Sequence, residues 1–213
     1  MKAILIGLSA LMVAAGANAA VIDFDLGSAH DNLGPTHTYT VGGLSLKATG
    51  YDNVGATTDL FGKHNGGNED GLGLANDPTG DKEIHFGSGF VQLDISQLIG
   101  KADTHVFKFE TNSTTNGEEW AVFGSDTAGS YSGSPLLTGT GQTPQTLTDL
   151  VGHTYYDFVE INHTKGQGDN FLIESFSVTP VPEPATWAML LAGVFGIGAV
   201  ARSARRPARL AAR

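Results

Sequence analysis

Between residues 68 and 81, six oxygen-bearing side chains crowd into fourteen positions: Asn68, Glu69, Asp70, Asn76, Asp77 and Asp81. Ca²⁺ takes roughly six to eight oxygen ligands, carboxylates and amide carbonyls among them, so this stretch has the chemistry of a cation loop. Asp70, Asp77 and Asp81 are the carboxylates that would carry such a site. The defined calcium motifs do not fit, however. With the EF-hand glycine set at Gly71, Gly66 falls where the first carboxylate belongs, and the calcium-binding nonapeptide needs glycine where Glu69 stands. A solvated turn explains the same residues, because Asn, Asp and Gly supply positive φ and cap the backbone. Both readings remain open, and the turn is the simpler.

Other reactive constellations are sparse. Seven histidines are spread along the chain, and none forms the His-Glu-x-x-His helix pattern of zinc proteases. No serine stands in Gly-x-Ser-x-Gly, the nucleophile elbow of many hydrolases. There is no cysteine, which removes thiol catalysis, thiolate metal sites and disulfides. Glu118 and Glu119 are the best local carboxylates for glycoside hydrolysis, but neighbours along a strand point to opposite faces and do not share a substrate. The expectation is a protein without catalytic residues or an obligatory cofactor, calcium being the one candidate ion. Trp120 is the sole tryptophan between the two ends of the chain. One reading makes it an exposed platform for a sugar ring, and so a carbohydrate contact. The other places it in the core, because it shares a strand face with Val122.

The elements that must hold these residues are short and alternating. Val21 to Leu26, His37 to Val41, Leu44 to Ala48, Glu83 to Phe86 and Phe90 to Asp94 read as strands. His105 to Thr111, Glu119 to Gly124 and, after Leu136-Leu137, Tyr155 to Asn162 and Phe171 to Thr179 continue the series. Gly42-Gly43 is a two-residue hairpin signal. No window sustains a helical period beyond a turn or two, Ser96 to Ile99 being the one brief candidate. Short strands separated by turn signals predict an all-β domain over residues 20–180, an antiparallel β-sandwich of the jelly-roll kind. From residue 21 to 180 there are 21 acidic residues against six lysines and no arginine. Such a surface argues against nucleic acid, which needs a basic face, and suits solubility outside the cell.

The two ends differ from this body. Lys2 supplies a positive start, Ala3 to Ala15 carry no charge, and Ala17-Asn18-Ala19 puts small residues where signal peptidase inspects them. Residues 1–19 therefore read as a signal peptide, expected to form a helix and to be cut after Ala19. At the other end Ala185 to Ala201 form 17 uncharged positions, about 25 Å of helix at ~1.5 Å per residue. That is a little short of the ~30 Å hydrocarbon core. Arg202, Arg205 and Arg206, with Arg209 and Arg213 beyond, suit the cytoplasmic side and leave the body outside. Pro182 and Pro184 hold the chain extended just before this transmembrane helix.

Val181-Pro182-Glu183-Pro184, the apolar run starting Thr186-Trp187-Ala188-Met189-Leu190-Leu191, and Arg205-Arg206 together resemble the PEP-CTERM sorting signal of Gram-negative bacteria. Two departures are Ala185, where serine is common, and a tail that runs on to Arg213. The resemblance implies that Pro182, Glu183 and Pro184 in the 181–213 segment are recognised by an exosortase, a membrane protease or transpeptidase. It further implies an exported protein, anchored in the inner membrane as a precursor and then released to the cell envelope, outer surface or extracellular matrix. Bacteria bearing such proteins tend to make exopolysaccharide or biofilm, which makes exopolysaccharide an expected partner. A looser likeness to secreted members extends over residues 65–94 and 117–129 and over Asn170 to Ile173. A carbohydrate- or calcium-binding module is the main alternative, and a secreted glycoside hydrolase a further one.

Overall fold

A computed structural model of the chain describes residues 20–114, 118–161 and 170–181. The chain enters through β1 (Ile22–Asp25), a 3-10 turn at Leu26–Ser28, and β2 (Asp31–Gly34). β3 (Thr36–Val41) and β4 (Leu44–Asp52) make the hairpin expected at Gly42-Gly43. Those two glycines take φ of 59° and 80°, the pair of positive values that lets a two-residue turn follow the twist of its strands. β5 (Thr57–Thr58), β6 (Leu60–His64), β7 (Asp70–Leu74), β8 (Ile84–His85) and β9 (Gly89–Asp94) follow. β10 (Ala102–Asn112), β11 (Trp120–Ser125) and β12 (Leu137–Gly139) come next. β13 (Gln145–Thr148), β14 (Tyr155–Glu160) and β15 (Asn170–Pro180) complete the series.

These strands pair antiparallel in two sheets. The first runs β13-β10-β15-β7-β6-β2, and the second β12-β11-β14-β9-β4-β3, with β5 beside β4. β15 is the spine of the first sheet. β10 lies along one of its edges, and β8, β7 and β1 divide the other between them. From β9 onward the chain crosses repeatedly from sheet to sheet, giving the quartets β7-β15-β10-β13 and β9-β14-β11-β12. Those orders are the two facing four-stranded sheets of a jelly roll, so the predicted fold class is the one adopted.

Aromatic side chains fasten the two sheets. Phe107 of β10 lies 4.8 Å from Phe176 of β15 and 4.2 Å from Tyr156 of β14, in the opposite sheet. Phe109 meets Trp120 and Phe158 edge-on at 5.1 and 5.2 Å. Each is almost wholly buried, and burying such a side chain stabilises the fold by about 1.5–3 kcal/mol. Alternation along β10, β11, β14 and β15 supplies this layer.

Six strands were not legible in the sequence: β2, β5, β6, β7, β12 and β13. Conversely, Ser96 to Ile99 is a turn and not a helix, closed by the Leu98 N–H donating to the Ile95 carbonyl at 2.8 Å. The expected signal-peptide helix and the helix over residues 185–201 lie outside the described residues. Among the described residues, no helix is long and apolar enough to cross a membrane.

Candidate functional site

The acidic stretch is not one loop. Gly71 and Gly73 disguise an alternation in which Leu72 and Leu74 enter the core, so Asp70 to Leu74 becomes β7 and pairs with β6. Asp70 therefore stands at the start of a strand, where its Oδ1 accepts the Gly66 N–H at 2.8 Å and faces His64 Nδ1 at 3.3 Å. Asp77 turns inward and is consumed by its own turn. It accepts the Thr79 N–H and hydroxyl at 3.0 and 2.8 Å, and the Glu83 N–H at 3.2 Å. Asp81 is exposed, with the Asn170 amide at 3.5 Å. The three carboxylates thus serve three separate neighbourhoods. Among the described residues, no group of three or more His, Asp or Glu side chains is gathered to hold a metal ion.

A different cluster forms where β6, β8 and the end of β10 converge. The largely buried Lys63 ammonium donates to Glu69 Oε2 and Glu83 Oε1. The Ser113 hydroxyl lies within hydrogen-bond reach of Glu69 Oε1 at 3.1 Å and Glu83 Oε1 at 2.9 Å. Asn112 adds an amide to the Asp70 carbonyl at 2.8 Å. Burial pushes the Glu83 carboxyl above its ordinary range, against the hydrogen bond and charge of Lys63. Glu69 shows the opposite balance: despite partial burial, the Lys63 hydrogen bond and charge hold its carboxyl low. Two glutamates share one cation here, and Glu83 is 1 % exposed. The cluster ties distant strands together, and its members at 63, 69, 83 and 113 are too far apart in sequence to be read as a unit.

Trp120 belongs to the core. It is fully buried, and its indole N–H donates to the Gly141 carbonyl at 3.1 Å. A buried ring offers no face to a sugar, so the carbohydrate platform read at Trp120 is corrected by the packing. Strand alternation sends Trp120 and Val122 inward and leaves Ala121 and Phe123 on the outer face of the second sheet. There Tyr51, Phe90, Ala121, Phe123 and Val159 form a second apolar layer. Tyr51 stacks on Phe90 at 5.2 Å.

A loop over residues 126–136 lies across this outer face. Gln92 of β9 pins it: its Oε1 accepts the Gly129 N–H at 3.2 Å, and its Nε2 donates to the Thr127 carbonyl at 3.3 Å. The same Nε2 donates to Asp157 Oδ1 of β14 at 2.7 Å. Burial pushes the Asp157 carboxyl up to about 7, the Gln92 hydrogen bond opposing. The loop delivers Tyr131, whose ring meets Phe90 edge-on at 5.0 Å and Phe123 at 4.8 Å. Beside it opens a groove of about 280 Å³, lined by Phe86, Phe90, Phe123, Tyr131, Asn53 and Glu160 among others. The aromatic residues of this groove come from three separated segments, and none was singled out by its sequence context.

β15 ends at Pro180, and the Val181 N–H donates to the Lys101 carbonyl at 3.0 Å. Ala17 and Ala19, the tripeptide Pro182, Glu183 and Pro184, and the arginines Arg202, Arg205 and Arg206 all lie outside the described residues.

Comparison with protein families finds the PEP-CTERM protein-sorting motif at residues 180–206. No curated protein matches the chain. A crystal structure of the K2 cleaved adhesin domain of Lys-gingipain is similar at 13 % identity and a TM-score of 0.31, covering 76 % of this chain and 97 % of that one. The sorting motif is the recognition signal of an exosortase, and it marks an exported protein held in the membrane before it reaches the cell surface.

Proposed function

From a chain that carries this sorting motif, we propose a non-enzymatic component of the extracellular matrix or cell surface, delivered by exosortase processing and associated with exopolysaccharide. The observation that carries the reading is the junction. The motif starts at Pro180, the last residue of the central strand β15, and Val181 alone separates that strand from Pro182. The whole jelly roll is thus the cargo, joined to its address without a spacer. The non-enzymatic part is supported by the use of the buried acids: Asp77, Glu83 and Asp149 are taken up in turns and inter-strand ties. The adjacent Glu118 is 2 % exposed, and the Glu119 N–H donates to Glu160 at 3.0 Å, so this segment serves the frame.

Replacing Pro182, Glu183 and Pro184 together by alanine tests the sorting. Unprocessed precursor is expected to accumulate in the membrane fraction, and the cell surface and extracted matrix should be depleted of it. Normal processing of that variant would sink the proposal. Association with the polymer is tested separately, by asking whether the wild-type protein co-fractionates with extracted exopolysaccharide or stays in the medium.

A further inference from the structure

We infer that the groove beside Tyr131, on the outer face of the second sheet, is a binding site for a neutral saccharide chain. The inference rests on the matrix reading above and assigns it a site. Phe86 and Tyr131 each expose 38 % of their surface into or beside the groove, while Phe90 and Phe123, at 3 % and 8 %, form its floor. Aromatic faces of this kind pack against the C–H faces of a sugar ring, and a polar edge then selects the hydroxyls. Polar residues are present: Asn53 and Tyr131 share the lining with the buried Glu160, whose Oε1 accepts the Glu119 N–H. At about 280 Å³ the groove is just smaller than typical ligand sites, which span ~300–1,000 Å³, and suits a short stretch of a longer chain.

Two further observations choose the occupant. Among the described residues, the lining contains no lysine, arginine or histidine, and the body carries 21 acidic residues against six lysines, which disfavours an anionic polymer. A peptide or lipid would want a continuous apolar trough, and here Gly87 and Asn53 interrupt it. The site is also held in shape before any ligand arrives. Tyr131 is braced against Phe90 and Phe123, and its loop is pinned to the sheet through Gln92. A braced aromatic loses little freedom on binding, which favours a weak, repeated ligand such as a polysaccharide.

The test uses the full-length protein in detergent, with affinity electrophoresis and calorimetry against laminarin, mannan, xylan and galactan as neutral probes and alginate as the anionic one. At least one neutral polymer is expected to bind. Tyr131→Ala should weaken it about tenfold, while Tyr131→Phe keeps most of the affinity, both with a wild-type circular-dichroism melt. If Tyr131→Ala melts early, Asn53→Ala, an exposed change, takes its place and should also weaken binding. Retention by alginate alone, no retention by any neutral polymer, or unchanged affinity in these variants overturns the site. The two readings fail separately: a protein that reaches the surface and binds no neutral polymer refutes the groove alone. One that binds the polymer in vitro and never enters the matrix refutes the matrix role.

Discussion

Two aspartates in the second half of the chain are used in opposite ways. Asp149 is 1 % exposed and accepts hydrogen bonds from the Val151 and His153 N–H groups, the His153 ring and the Tyr156 hydroxyl at 2.7–3.1 Å. Against its burial, these bonds hold the carboxyl down at about 2. Its stabilisation is complete above the ordinary value of 3.8 and is lost as pH falls toward about 2. Asp149→Asn should therefore lower stability near neutral pH by about 1.5–3 kcal/mol, with the gap to wild type closing in acid. Asp157 runs the other way. Its Oδ2 has no hydrogen-bond partner, and burial raises its carboxyl from 3.8 to about 7. The folded chain keeps a proton that the unfolded chain releases, so stability falls as pH climbs through that window. Asp157→Asn keeps the acceptor for Gln92 and removes the charge. It should melt a few degrees above wild type at about pH 8 and close to it at about pH 4, in thermal melts followed by circular dichroism.

At the scale of elements, legibility followed side-chain alternation. β10, β11, β14 and β15 alternate bulky residues along most of their length, and each was readable to within a few residues of its observed ends. β6 and β7 were not, because glycine occupies positions that a strand normally fills with β-branched or aromatic residues. The glycines are required by close backbone approach. A Cβ on Gly62 of β6 would lie 1.8 Å from the Ala29 carbonyl oxygen, and one on Gly73 of β7 would lie 2.2 Å from that of Lys82. Gly62→Ala is expected to cost about 1–3 kcal/mol or more by forcing the 29–30 backbone off the sheet. Protection of the β2 and β6 amides in hydrogen exchange should drop more than that of β10 and β15. The candidate groove was hidden for a related reason: alternation told that Trp120 and Phe123 point opposite ways, but not which side the 126–136 loop would cover.

At the scale of the molecule, the jelly roll and its address are separable. Every strand among the described residues closes by Pro180, so a chain ending at Val181 should keep the wild-type melting temperature and should leave the cell envelope for the medium. Retention of that truncated chain in the membrane would contradict the role given to the tail. The sequence by itself determined the all-β class, the acidic exported character and the sorting motif. Those are carried by local order along the chain: period-two alternation, composition, and a contiguous recognition segment. The tertiary structure alone decided which acids meet, that Trp120 is core, and that Tyr131 is brought onto Phe90 and Phe123. Contacts such as Tyr131 with Phe90 and Ser113 with Glu83 join residues far apart in sequence, and the crossing order of the strands sets them, which no local pattern encodes.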